Sequence, residues 1–187
     1  WPGKVKAGTL DKTHMISTVD LQPTILEALG LPPSECDGRS FLPLLQGEKQ
    51  DGRDAVFAQF HHIHGGDALP MRSVITRESA YIFNPWSNGK RRFGRLGGGA
   101  YQAMRKASSS DTVLAARIKH LEFRVVEELY DLRKDPNCLV NLFSAAPDIT
   151  KGVLASSIKQ ESISSTIANF LSLWTNSFFV NFMLSLK

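Results

Sequence analysis

The stretch Arg72-Ser73-Val74-Ile75-Thr76-Arg77-Glu78-Ser79-Ala80-Tyr81-Ile82-Phe83 decides the fold. Two short runs, 72–76 and 80–83, are rich in β-branched and aromatic residues and are separated by polar ones. That is the pattern of neighbouring strands joined by a turn. Working outward, Ala55-Val56-Phe57-Ala58-Gln59-Phe60 reads as a strand before them and Glu128-Leu129-Tyr130-Asp131-Leu132 as one after. A Gly-rich basic loop and a helix from about 112 to 124 fill the gap between the third and fourth strands. Short strands of this kind with one helix predict an antiparallel sheet carrying a helix on one face, an α+β arrangement.

Upstream, residues 17–29 read as a helix. Ser17 and Asp20 stand in capping-box spacing, or Asp20 is itself the N-cap with Pro23 in the first turn, and Gly30 supplies the stop. Val19, Ile25, Leu26 and Leu29 form its apolar face, and Leu31-Pro32-Pro33 ends it. A turn at Asp37-Gly38, whose glycine permits positive φ, leads to Phe41-Leu42-Pro43-Leu44-Leu45, a buried one-turn element ended by Gly47.

The whole chain has 187 residues, 42% of them hydrophobic and 21% charged, which excludes a disordered or fibrous protein. The length suits one domain, or one domain plus pieces of another. Trp1-Pro2-Gly3-Lys4-Val5-Lys6 carries neither an initiator Met nor a leader, so it reads as a cut point inside a longer protein. Two cysteines, Cys36 and Cys138, are too few for a disulfide scaffold.

Charge is unevenly placed. Residues 79–110 hold Lys90, Arg91, Arg92, Arg95, Arg105 and Lys106 and no acid, within a net charge of +4. Such a segment suits a polyanionic partner, or is simply a solvated loop. Residues 162–186 are uncharged, and Ile163, Ile167, Phe170, Leu171, Trp174 and Phe178 fall at helical spacing. An amphipathic helix, a membrane anchor and an anomalous tail are the three readings, and the polar content favours the first.

His61-His62-Ile63-His64 follows the first strand, and Arg72 opens the next. Histidines two apart on an extended chain share a face, so His62 and His64 can converge on one ligand. Two histidines without further ligands do not make a zinc site. Donors lining an anionic pocket, or a surface cluster, are the remaining readings. Gly94-Arg95-Leu96-Gly97-Gly98-Gly99 is neither a dinucleotide fingerprint nor a P-loop, and no nucleophile elbow is present.

Four stretches, in order, resemble the C-terminal half of the sulfatases, especially the N-sulfoglucosamine sulfohydrolase-like branch. They are Trp1-Pro2-Gly3-Lys4-Val5; Val19-Asp20-Leu21-Gln22-Pro23-Thr24-Ile25-Leu26 with Gly30; Asp37-Gly38-Arg39-Ser40-Phe41-Leu42-Pro43-Leu44-Leu45; and Glu128-Leu129-Tyr130-Asp131-Leu132-Arg133-Lys134-Asp135-Pro136 with Asn141-Leu142. Pro70-Met71-Arg72-Ser73-Val74, with Asn84 downstream, is similar to the heparan N-sulfatase branch in particular. Most of these motifs hold architecture, Asp135-Pro136 by closing a turn or starting a helix. Only the histidines and Arg72 look like site chemistry.

The resemblance implies an organisation in three parts. Residues 1–47 would be the tail end of an alkaline-phosphatase-like N-terminal domain, 48–148 a C-terminal α+β subdomain, and 149–187 an atypical tail, helical in expectation. It also implies a formylglycine nucleophile made from Cys-x-Pro/Ala-x-Arg and a calcium ion, with both nucleophile and metal ligands upstream. Neither Cys36 nor Cys138 fits that pattern, so the chain alone is expected to be inactive. His61, His62, His64 and Arg72 are the substrate-binding residues so implied, the partners being a sulfated sugar and the missing N-terminal domain, with no nucleic acid or membrane. Export or a lysosomal location is implied too. A stand-alone polyanion-binding module and a fragment of a related phosphodiesterase are the alternatives.

Overall fold

The computed structural model describes residues 1–62, 66, 68–93 and 96–143, and the tail lies outside them. The described residues divide into two compact units, Trp1–Val56 and one that begins at Phe57.

In the first unit, a 3-10 turn Thr18–Asp20 runs directly into helix α1, Leu21–Ala28. The helix ends as the sequence predicts. Gly30 takes φ 67, and the Leu31 N–H reaches back to the Leu26 carbonyl at 2.9 Å. The apolar face of α1 is not covered within the described residues: Val19, Ile25 and Leu29 are 53%, 56% and 67% exposed. Helix α2 is the single turn Leu42–Leu45, with Leu42 and Leu44 buried.

The polar motif residues of this unit converge on Asp20. Its carboxylate accepts from the Ser17 N–H at 3.0 Å, the Arg39 N–H at 2.8 Å and Arg53 Nη1 at 2.9 Å. Thr24 donates to the Asp20 carbonyl at 2.6 Å and accepts from the Phe41 N–H at 3.0 Å. Gly38 is needed for a different reason from the one its turn suggests. It does not adopt positive φ, but a Cβ there would stand 2.0 Å from the Val19 carbonyl oxygen. The two motif segments touch backbone to backbone, and only glycine leaves room.

The second unit is built on four strands: β1 Ala55–His62, β2 Ala68–Thr76, β3 Ser79–Phe83 and β4 Glu127–Asp131. Their order is β1-β2-β3-β4, and the β2–β3 and β3–β4 pairs are antiparallel. The α+β expectation is met. Strand β2 starts at Ala68, earlier than the expected Arg72, and holds Pro70 inside it. The register aligns Val74, Tyr81 and Leu129 across three strands, and all three are fully buried.

Between β3 and β4 lie α3, Gly99–Ala107, and α4, Thr112–Glu122. The expected basic loop is therefore in part a helix. Gly98 at φ 93 leads into α3, buried Tyr101 anchors it, and Arg105 and Lys106 occupy its last turn. Cations there oppose the negative end of the helix dipole. Asp111 caps α4 by accepting from the Leu114 N–H at 2.9 Å. After β4, Asp135 closes a turn by accepting from the Leu139 and Val140 N–H groups at 2.6 and 2.8 Å. No helix follows it among the described residues. Asn141 borders the β4 edge, accepting from the Leu129 N–H at 2.9 Å and donating to the Glu127 carbonyl at 3.0 Å. That contact satisfies edge groups otherwise open to another strand.

Candidate functional site

Side chains alternate across a strand, so the row on the same face as Val74, Tyr81 and Leu129, one step along, is Arg72, Phe83 and Glu127. The first row is sealed; the second is half-buried. The second row is thus the rim of that face, and Arg72 stands in it because β2 pairs with both of its neighbours.

The structure places Arg72 beside His61. Arg72 Nη1 donates to the Met71 carbonyl at 2.8 Å and the Phe60 carbonyl at 3.4 Å. Nη2 lies 3.4 Å from Nε2 of exposed His61. Burial lowers the guanidinium from its ordinary value. Among the described residues no carboxylate pairs with Arg72, so the partly desolvated cation is met by two carbonyl dipoles and the His61 ring. His62 closes β1, while its side chain and all of His64 lie outside the description. A cavity of about 270 Å³ borders this strand end, with Phe60, Met71, Ile82, Phe93, Arg72 and Arg124 in its walls.

Glu127 was not singled out by sequence reasoning. Tyr81 donates its hydroxyl proton to Glu127 Oε1 at 2.7 Å. Burial pushes the carboxyl above its usual range, against the opposing effect of that hydrogen bond. Tyr81 is itself raised, first by burial and then by the same carboxylate.

The opposite face holds a second group that the sequence does not announce. Fully buried Glu128 receives Arg124 in a two-pronged pair, Nε to Oε1 at 2.7 Å and Nη2 to Oε2 at 2.6 Å. Asn84 donates to Oε1 at 2.9 Å and Tyr130 to Oε2 at 2.6 Å. His120 Nε2 lies 3.0 Å from the Tyr130 hydroxyl, and burial is the main reason its pKa falls below the ordinary value. Every prong of Glu128 is occupied, which is the condition of a structural buried pair. Asn84, noted in the sequence for its place after the third strand, belongs to this network.

Within the basic segment, one cation is matched by a carboxylate. Arg92 pairs with Glu122 at 2.6 Å, and the Tyr101 hydroxyl bonds the same carboxylate. The Arg91 and Lys90 N–H groups are held by Asn88. Arg95 lies outside the described residues. Cys36 is exposed and Cys138 half-buried, both as free thiols. Among the described residues no group of three or more His, Cys, Asp or Glu could hold a metal ion. These side chains therefore do not fit the implied calcium. Nor is any described helix long and apolar enough to cross a membrane.

Residues 1–83 match the family described as N-sulphoglucosamine sulphohydrolase, C-terminal. An ulvan-active sulfatase of Formosa agariphila is 33% identical over 87 residues, a match covering 45% of this chain and 17% of that protein. The chain thus spans a small part of the length of this curated relative. Among solved structures, one in complex with its substrate D-glucosamine-2-N,6-O-disulfate is 20% identical at TM-score 0.49, over 86% of this chain and 27% of that one. The phosphonate monoester hydrolase of Agrobacterium radiobacter is 21% identical at TM-score 0.45, over 76% and 23%.

Proposed function

We propose, from the sulfatase C-terminal domain that residues 1–83 carry, that this chain is the C-terminal part of an exported or lysosomal sulfatase. Its upstream domain would supply nucleophile and calcium, and this part would contribute a wall of the pocket for a sulfated sugar. Residues 1–47 would complete the upstream domain, whose contact with α1 explains an apolar helix face left open. Residues 48–148 form the wall, and 149–187 append the tail, which is uncharged over 162–186.

The observation that carries the reading is Arg72: a half-buried guanidinium with no described carboxylate partner, beside an exposed histidine at the rim of a sheet. A planar fork of donors matches the oxygens of a sulfate group, and a charge-assisted hydrogen bond to it contributes about 1.5–3 kcal/mol. Sulfate ester cleavage also needs an activated nucleophile, and neither Cys36 nor Cys138 stands in a sequence that would supply it.

The test compares the 187-residue chain with the full-length gene product. The chain alone should not turn over 4-nitrophenyl sulfate, and the full-length protein should. In the latter, Arg72→Ala should raise KM about tenfold or more while the thermal midpoint stays within a few degrees. Turnover by the chain alone, or unaltered kinetics in the variant, overturns the reading.

A further inference from the structure

Arg72 and Glu127 occupy one row of one face, with Phe83 between them. Two strand spacings separate them, roughly 10 Å between their Cα atoms. Both are half-buried charges, and neither neutralises the other because β3 stands in the way. Glu127 spends Oε1 on Tyr81, and among the described residues Oε2 has no partner. Half-buried charges left unpaired are costly, and a fold that merely needed stability would do better with apolar side chains here. On the facing side of the same sheet, Glu128 is paired at both oxygens, so the chain satisfies a carboxylate fully where it has only a structural task.

We propose that Glu127 and Phe83 continue the Arg72–His61 anion site into a strip that binds the sugar ring. Arg72 and His61 take the anionic substituent, Phe83 offers an apolar platform, and Glu127 accepts hydrogen bonds from ring hydroxyl or amine groups. This rests on the sulfated-sugar reading above, and it names the residue that separates a sulfated sugar from any other sulfate ester. Tyr81 acts as a positioning residue, holding one carboxylate oxygen so that the other faces the rim.

The experiment uses the full-length gene product and two probes, glucosamine 6-sulfate and 4-nitrophenyl sulfate. The second carries the anion without the sugar. Glu127→Ala should raise KM for the sugar about tenfold and leave KM for the aryl sulfate unchanged. Glu127→Gln, which keeps an acceptor for Tyr81 and for the sugar, should recover most of the loss. Arg72→Ala should raise KM for both. If Glu127→Ala moves both probes equally, or neither, while Arg72→Ala raises both, the strip is wrong and the anion site stands. If Arg72→Ala also leaves both unchanged, the anion site fails with it.

Discussion

Arg53 and Arg72 are two half-hidden or hidden arginines treated in opposite ways. Arg53 is 5% exposed and its guanidinium is spent at every nitrogen: on Gln50 at 2.6 Å, on Asp20 at 2.9 Å, and on the Arg39 and Ser40 carbonyls at 2.7 and 2.8 Å. Arg72 meets two carbonyls and a histidine, and no described carboxylate. Desolvated charge is tolerated in a folded chain either because the fold has matched it or because a ligand will. The first kind should fail in stability when altered, and the second in binding.

The largest expected effect tests the first half of that contrast. Arg53→Ala leaves the Asp20 carboxylate, whose side chain is only 11% exposed, without its cation, and removes the link between the 39–40 segment and the 3-10 turn. Breaking a buried pair on one side costs about 3–5 kcal/mol. Urea unfolding of the 187-residue chain should show the midpoint fall accordingly, whereas Arg72→Ala should shift it by less than about 1 kcal/mol. Equal losses would end the distinction. Next comes Gly38→Ala. The added methyl meets the backbone of Val19 and Asp20 in the 3-10 turn, which cannot swing aside as a side chain can, so that turn must move from the 37–41 segment at a cost of about 3 kcal/mol. A variant as stable as the parent would show that the two segments are not locked together.

Which of these residues announced themselves in the sequence follows from how local their reasons are. The strands were legible because alternation and β-branched residues are local. So was the end of α1, since one glycine beside Pro-Pro dictates it. Helix α3 was not, because three glycines in a row read as loop, and its stability comes from Tyr101 reaching Glu122 in the next helix. Gly38 was marked as special for positive φ, while its real constraint is a neighbour 19 residues away. Glu127 and Glu128 look alike in the sequence. Strand alternation sends them to opposite faces, and Leu129 and Tyr130, one step further along each face, are both buried. That was the available signal: two acids at the head of a strand whose next two residues are both core.

The smallest effect concerns pH, and it belongs to the network around Glu128, whose carboxylate is paired at both oxygens. His120 has a pKa below its ordinary 6.5, chiefly because burial disfavours the charged ring, with Arg124 and Arg117 adding to the depression and Glu128 and Asp135 opposing it. The unfolded chain therefore takes up this proton before the folded one does. Stability contributed by the neutral ring is present above pH 6.5 and declines as pH falls from there toward the folded pKa. Glu127 acts with the other sign, since its raised carboxyl favours the folded state when protonated and loses that advantage as pH rises above 4.5. The two contributions have opposite sign, and a difference between variants separates them. His120→Gln retains a group able to bond the Tyr130 hydroxyl and cannot titrate. Between pH 7.5 and 5 its urea midpoint should fall less than that of the parent, by a margin smaller than either effect above. Parallel curves would mean that His120 is solvated in solution and that the pair it makes with Tyr130 is open to water.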